Sequence, residues 1–570
     1  MAFFISDNIT SPLGESTGEN IASLRKGVSK ICHYFGQEIG VTEDLMASFS
    51  SKYTSAQTDG LTPFERIALH SIGQALNGCK RKVETGSERT VLIISTTKAN
   101  ADGLMNGSGR VLPIEGALAI AERIGVKTKP IVVCDACISG LAALILADRL
   151  LSQGTYDTAI VCGVDVPRKF IVAGFQSLKA VSTDICRPFD IERNGLNIGE
   201  AAATVIMAAT PVEGAQQWGI AGSAIRNDAF HLCAPDKRGE GLRLAIEHAT
   251  GSANAMDISL INAHGTATLF NDQMESVAIE RAGLNGIPVN GLKGYYGHTM
   301  GAAGILETIV STRTLDEGYA LPTHGFSELG VSGKINVLSE ETALTGERQS
   351  LLKIMSGFGG CNAAALISKC RIKSANDRRV SDVRRHHRVV LTPKEAIVDG
   401  KKLDIQNGDD GCGILTRIYK KEIGGYTSFY RMDELSRLGF VATELLLSQE
   451  TGSQRFVERD DRAVVMFNRT SSIIVDKSFT HAVGDGPFET PSPSTFIRTL
   501  PNIVTGEIAI RNKYHGETSF YMLPDKDERT MLDIIRATFA DSATKSAIAG
   551  WVDYENDESF EADVCLYFAE

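Results

Sequence analysis

Three residues of this 570-residue chain bring reactive side chains into short glycine-rich stretches. They are Cys137 in Asp135-Ala136-Cys137-Ile138-Ser139-Gly140, His264 in Ala263-His264-Gly265-Thr266-Ala267-Thr268, and His298 in Lys293-Gly294-Tyr295-Tyr296-Gly297-His298. A thiolate attacks thioesters, and imidazole offers an N–H donor or a base near neutral pH. One thiol and two imidazoles, if gathered, would suit covalent acyl transfer followed by carbon–carbon condensation. Each residue alone has a plainer explanation. A cysteine in an apolar stretch is usually a buried structural thiol. His264 alone would pass for a satisfied core histidine. Cys134-Asp135-Ala136-Cys137 is formally a redox C-x-x-C, although Cys134 is expected at a strand end and no second pair stands by for zinc.

The surrounding elements must present these side chains. Thr90–Ser95, Lys129–Cys134 and Thr158–Gly163 are continuous β-rich apolar runs, the pattern of strands covered on both faces. Between them lie helical stretches such as Leu141–Leu151, so the first roughly 370 residues read as an α/β unit. Cys137 would sit where a strand turns into an interior helix, and the helix dipole there favours thiolate. His264 follows the apolar Ile258-Ser259-Leu260, which places it at a strand end. Thr266 and Thr268 add hydroxyls at alternate positions. Lys293 precedes His298, and a buried lysine needs an anion, for which Glu307 is the local candidate.

Composition narrows the function classes. A net charge of -11 argues against a nucleic-acid binder, and 43% hydrophobic with 22% charged residues is ordinary for a soluble globular protein. The N-terminus lacks a signal-peptide pattern, and no apolar run reaches the roughly 18 residues of a membrane span. A cytoplasmic protein with reduced thiols is expected, without a metal or a tightly bound cofactor.

The chain divides at Arg371–Arg388, whose many arginines and few apolar residues read as a basic linker. Residues 389–570 then echo the first part. Leu435–Leu447 has the amphipathic pattern of Pro63–Leu76, Arg462–Phe467 matches the run at Thr90, and Ser546–Asp553 matches Ala159–Asp165. An internal repeat of one half-domain is expected.

Taken together, the three reactive stretches resemble the β-ketoacyl synthases of the Cys–His–His type. So do Ile9–Gly14, Arg187-Pro188-Phe189-Asp190 with Gly199-Glu200-Ala201, Asp228-Ala229-Phe230-His231, and Ser356-Gly357-Phe358-Gly359-Gly360-Cys361-Asn362. The resemblance covers about residues 1–370, in halves of about 1–210 and 211–370. It implies a thiolase-like five-layered αβαβα sandwich. It also implies a decarboxylative condensation of an acyl thioester with malonyl-acyl carrier protein, in fatty-acid or polyketide synthesis. Cys137 would carry the acyl group, His264 and His298 would assist decarboxylation, and Lys293 with Glu307 would organise them. Backbone N–H groups of Cys137 and Phe358 would form the oxyanion hole, with Phe358 also acting as a gate. Thr266 and Thr268 would hydrogen-bond the phosphopantetheine arm, which the carrier protein supplies, Gly359 and Gly360 would join them in binding substrate, and Lys179 would contact the carrier. Ala267, Gly291 and the bulky Ile138 depart from the family pattern.

Residues 389–570 resemble a synthase N-terminal half without its chemistry, since no cysteine lies between Gly506 and Ala540. Ketosynthase–chain-length-factor pairs of aryl-polyene and flexirubin-type systems use such an inactive partner, and this chain looks like a fusion of the two. The half-domain is expected to dock through the edge that homodimeric synthases use, making an internal pseudo-dimer, or to serve self-association. Two other functional readings stand beside the main one: a thiolase-fold acyltransferase without decarboxylation, and a non-catalytic carrier-binding scaffold.

Overall fold

A computed structural model describes residues 1–50, 52–53, 60–107, 109–214, 216–251, 257–344, 350–369, 382–405, 413–451, 455–484 and 491–570. Its architecture is one five-stranded unit used three times. The first comprises β1 (Phe3–Thr10), β2 (Thr90–Ser95), β3 (Ile131–Val133), β4 (Thr158–Asp165) and β5 (Ala201–Ala208). The second comprises β6 (Gly219–Asn227), β7 (Leu260–Asn262), β8 (Pro288–Asn290), β9 (Ser350–Gly357) and β10 (Cys361–Ser368). The third comprises β11 (Val383–Leu391), β12 (Arg462–Asn468), β13 (Thr518–Met522), β14 (Ser546–Asn556) and β15 (Ser559–Ala569).

Within each unit the spatial order is first, fifth, fourth, second, third. The first-to-fifth and fifth-to-fourth pairings are antiparallel, and the other two are parallel. The inner strands are buried along their whole length, which explains their unbroken apolar runs. The expected thiolase-like sandwich with an additional half is therefore the observed fold.

Eight helices fix the layers: α1 (Pro63–Asn77), α2 (Ser139–Ser152), α3 (Glu240–Thr250), α4 (Leu269–Arg281), α5 (Ala303–Asp316), α6 (Glu434–Ser448), α7 (Ile503–Asn512) and α8 (Glu528–Thr538). Helix α1 starts at a full capping box, Thr62 with Glu65, and has Pro63 in its first turn. Helices α2 and α5 fill the space between the first two sheets and share one apolar core with strands of both. Helix α1 covers the outside of the first sheet, and α3 and α4 cover the outside of the second.

Among the described residues, the third unit has no second sheet to face. Its central helix shows the consequence. Helix α2 is buried on nearly every side, from Ser139 to Leu151, whereas α8 buries Met531, Ile534, Ile535, Ala537 and Thr538 and leaves Glu528 and Arg529 exposed. The turn before α8 holds Leu523-Pro524-Asp525-Lys526-Asp527 where the first unit holds its cysteine. Lys526 there pairs with Glu561 and Asp563 at 2.7 Å each.

One boundary differs from the sequence reading. The linker was expected through Arg388, but β11 begins at Val383, while residues 370–381 lie outside the described residues. Strand pairing with β15 and the ion pair of Arg388 with Asp563, at 2.7 Å, accommodate a strand whose charged side chains face outward.

The first and third units join edge to edge. Strands β3 and β13 pair antiparallel, Val133 opposite Tyr521 and Val132 opposite Met522. Buried ion pairs also tie the third unit to the first, Arg149–Glu517 at 2.8 Å, and to the second, Arg226–Asp541 at 2.5 Å. Both side chains of the second pair are essentially inaccessible, at 0% and 1%. Removing one partner strands a buried charge, so Asp541→Ala should lower unfolding stability by about 3–5 kcal/mol. Denaturant unfolding measures it; a loss within experimental error would show that water reaches Arg226.

Candidate active site

Cys137 stands in a single 3₁₀ turn, Ala136–Ile138, between β3 and α2. Ala136 takes a left-handed φ of 48°, which bends the chain sharply out of the strand. Ser139 Oγ accepts from the Asp135 N–H at 2.9 Å and donates to the Ala136 carbonyl at 2.5 Å. The Asp135 carboxylate accepts from the Phe520 N–H of β13 at 2.7 Å, so the third unit helps to pin the turn.

His264 follows β7 on an extended segment. Its N–H and that of Gly265 both donate to the Glu275 carboxylate of α4, at 2.7 Å each. His298 follows a four-residue helix, Lys293–Tyr296, and its N–H donates to the Asn197 carbonyl at 2.7 Å. The Met300 N–H donates to His298 Nδ1 at 3.2 Å, which leaves the proton of the neutral ring on Nε2.

These elements bring the three side chains together. The sulfur and the imidazole nitrogens of Cys137, His264 and His298 lie within 4.8 Å of one another. The two rings meet edge to face with centroids 5.1 Å apart. His264 Nδ1 and His298 Nε2 are buried and have no hydrogen-bond partner among the described residues, so both are free to meet a bound group.

Burial dominates the electrostatics. It holds both imidazoles well below the usual range, and the Lys293 ammonium adds to that, so both rings are neutral. Burial also pushes the Cys137 thiol up to about 12, against the pull of Lys293. The thiolate expected from the helix dipole alone is thus not the resting state, because desolvation outweighs the dipole. Thiol and imidazole are zinc donors in kind, but a thiol must lose its proton to bind a metal, and burial works against that.

Behind the histidines lies a buried charge cluster. Glu307 accepts from Lys293 at one oxygen and from Lys353 at the other, 2.7 Å each, with both lysines at 0% exposure. Lys293 also donates to the His264 carbonyl at 2.5 Å. Two ammonium groups share one carboxylate, and desolvation brings Lys353 down to about 8.

The triad opens into a cavity of about 330 Å³, also lined by Thr266, Thr268, Phe358 and Gly360. The two threonine hydroxyls are 2.9 Å apart. Gly359 is turned away: its N–H donates to the Leu232 carbonyl at 2.7 Å, and its carbonyl accepts from Asn227 at 2.9 Å. Lys179 is exposed between Leu178 and Ala180, both of which line the cavity. Cys134 and Cys137 are both free, and Cys134 lies buried against the Thr97 carbonyl. Sequence reasoning missed Lys353. Its signal was a lone lysine inside the apolar run Leu351-Leu352-Lys353-Ile354-Met355.

Comparisons with known proteins accord with this geometry. Residues 55–211 match the model of the beta-ketoacyl synthase N-terminal domain, and residues 219–327 match that of the C-terminal domain. The chain is 32% identical over 256 residues to 3-oxoacyl-[acyl-carrier-protein] synthase 2 of Rhizobium meliloti, covering 42% of this chain and 60% of that protein. It is 30% identical over 272 residues to the tetracenomycin polyketide synthase ketoacyl synthase alpha subunit of Streptomyces glaucescens, covering 44% and 62%. The aligned stretch thus spans less than two thirds of either relative. The solved structure of the PfaC keto synthase–chain length factor superposes with a TM-score of 0.75 at 13% identity, covering 100% of this chain and 78% of that one, a likeness of fold. No helix among the described residues is long and apolar enough to cross a membrane.

Proposed function

Through residues 55–211 and 219–327 the chain belongs to the beta-ketoacyl synthase family, and on that premise we propose that it condenses an acyl thioester with malonyl-acyl carrier protein to give a 3-oxoacyl product and carbon dioxide. The observation that carries this reading is the pair of neutral, unpartnered imidazole nitrogens beside a free thiol in one cavity.

In the first stage Cys137 attacks the acyl thioester. Its proton passes to a neighbouring imidazole as the sulfur–carbon bond forms, since the resting thiol is protonated. The tetrahedral oxyanion needs two fixed donors. The N–H groups of Cys137 and Phe358 fill that role. The loop before Phe358 runs close to the first of them, because a Cβ on Gly357 would lie 3.2 Å from Cys137 N. Collapse expels the carrier thiol, which takes up the proton. In the second stage the malonyl thioester enters and its carboxylate leaves as carbon dioxide. The electron pair of that bond becomes an enolate, whose oxygen accepts from His264 and His298. The enolate carbon then attacks the Cys137 thioester, the cysteine sulfur leaves as thiolate, and it takes up one proton from solvent to restore the resting thiol.

The partner is an acyl carrier protein. Its phosphopantetheine arm would run past Thr266 and Thr268, and Lys179 would meet the carrier at the mouth. The third unit acts as a chain-length-factor-like partner, and a polyene product fits that reading. The compartment is the cytoplasm, which the free cysteines support. Incubation with carboxyl-labelled malonyl-carrier and an acyl-carrier tests the whole. Label released as carbon dioxide together with a two-carbon longer product is expected; an acylated Cys137 without release would instead mean simple acyl transfer.

A further inference from the structure

The loop Gly357–Cys361 passes behind the nucleophile, and three of its carbonyls are held. Asn227 donates to the Gly359 carbonyl at 2.9 Å, and the Asp228 N–H donates to that of Gly360 at 2.8 Å. Both donors belong to the end of β6. The Phe358 carbonyl differs. Its nitrogen donor is Asn502 of the third unit, at 2.8 Å, with the Cys361 thiol a weaker donor at 3.3 Å.

Asn502 occupies the N-cap position of α7, where an asparagine oxygen ordinarily accepts from its own helix. It makes no such cap. The side chain reaches across to the loop instead, 2% exposed, with its Oδ1 buried and unpartnered among the described residues. The amide orientation is fixed by chemistry, since the flipped form would set oxygen against the Phe358 oxygen.

Two glycines make the reach possible. A Cβ on Gly506, one turn along α7, would fall 2.7 Å from the Gly359 oxygen. Gly359 has φ +89°, and a Cβ there would fall 2.8 Å from Asn502 Nδ2. Helix and loop therefore approach backbone to backbone, and the asparagine spans the gap.

We infer that Asn502 is a positioning residue for acylation and condensation: it holds the Phe358 loop against the nucleophile from the third unit. The third unit thus supports the reacting cavity as well as bordering it. The inference rests on the condensing function proposed above, because Phe358 matters only if its N–H and ring serve that reaction. The Phe358 N–H serves the tetrahedral oxyanion that forms when Cys137 is acylated and the one that forms when the enolate attacks the Cys137 thioester. Loss of the strut therefore weakens acylation and condensation together.

The test uses the full chain and two variants, Asn502→Leu and Asn502→Asp. Acylation of Cys137 is followed by intact mass with a short acyl-N-acetylcysteamine thioester. Condensation is followed with malonyl-loaded acyl carrier protein. In Asn502→Leu, the acylation rate and turnover should both fall about tenfold, the value of one lost hydrogen bond in a dry site. A carboxyl at the same position donates only when protonated, and burial raises its pKa. The turnover ratio of Asn502→Asp to Asn502→Leu should therefore rise as pH falls from about 8 to about 6. No loss of acylation, or a flat ratio, would overturn the inference while leaving the proposed function intact. A wild-type chain that neither acylates at Cys137 nor releases carbon dioxide would remove both.

Discussion

Cys137→Ala should abolish condensation, with turnover falling on the order of 10⁶-fold, the scale seen when a covalent nucleophile is deleted. The geometry makes the expectation sharp. Among the described residues, no other cysteine joins the two imidazoles within 4.8 Å. Cys361, the nearby alternative, is buried with its sulfur against the Asp135 and Phe358 carbonyls. Burial pushes its thiol well up too. The variant should lose the acyl adduct seen by intact mass and keep its affinity for the carrier, because the cavity mouth is untouched. Substantial product from Cys137→Ala would mean that condensation does not pass through this sulfur.

His298→Ala carries the second largest effect. It removes the Nε2–H whose tautomer is set by the Met300 N–H on Nδ1. Deleting one preorganised donor to a developing oxyanion costs roughly 10²–10³ in rate. The loss should fall on carbon dioxide release and product, with Cys137 still acylated. The pH profile gives a companion readout in the wild type. Both imidazoles stay neutral well below the ordinary value of about 6.5. Acidification from about pH 8 to about 6.5 should therefore cost no activity through them. Protonation would destroy the neutral-ring arrangement only below their depressed folded-state values. A wild-type rate that drops with a midpoint near 6.5 would show that the rings are more hydrated than their surroundings imply.

Much of this was legible in the residues. Thr90–Ser95 and Arg462–Phe467 are apolar on both faces, and each is a central strand. Pro63–Leu76 announces its helix through Thr62, Pro63 and Glu65, which form the observed cap. The triad was legible because glycines flank each reactive side chain. Val383–Leu391 was hidden because its arginines and histidines obey solvent exposure rather than strand preference. Pairing partners nearly two hundred residues downstream decide it. Lys353 was hidden because its anion, Glu307, already had a nearer claimant in Lys293. The protonation state of Cys137 depends on how deeply it is enclosed, and local sequence does not carry that quantity. Nothing in the residues around Asn502 pointed to the loop, and only the fold reveals where its amide goes.

The hydrogen bond from Phe520 to Asp135 joins groups 385 residues apart. A nascent polypeptide would therefore finish its first two sheets with β3 still an open edge and the Asp135 carboxylate lacking this donor. At ribosomal speeds of about 5–20 residues per second, that edge waits for β13 for a time set by the intervening chain. Premature termination anywhere before Thr518 would leave β3 available to the strands of other molecules, and the product would tend to precipitate.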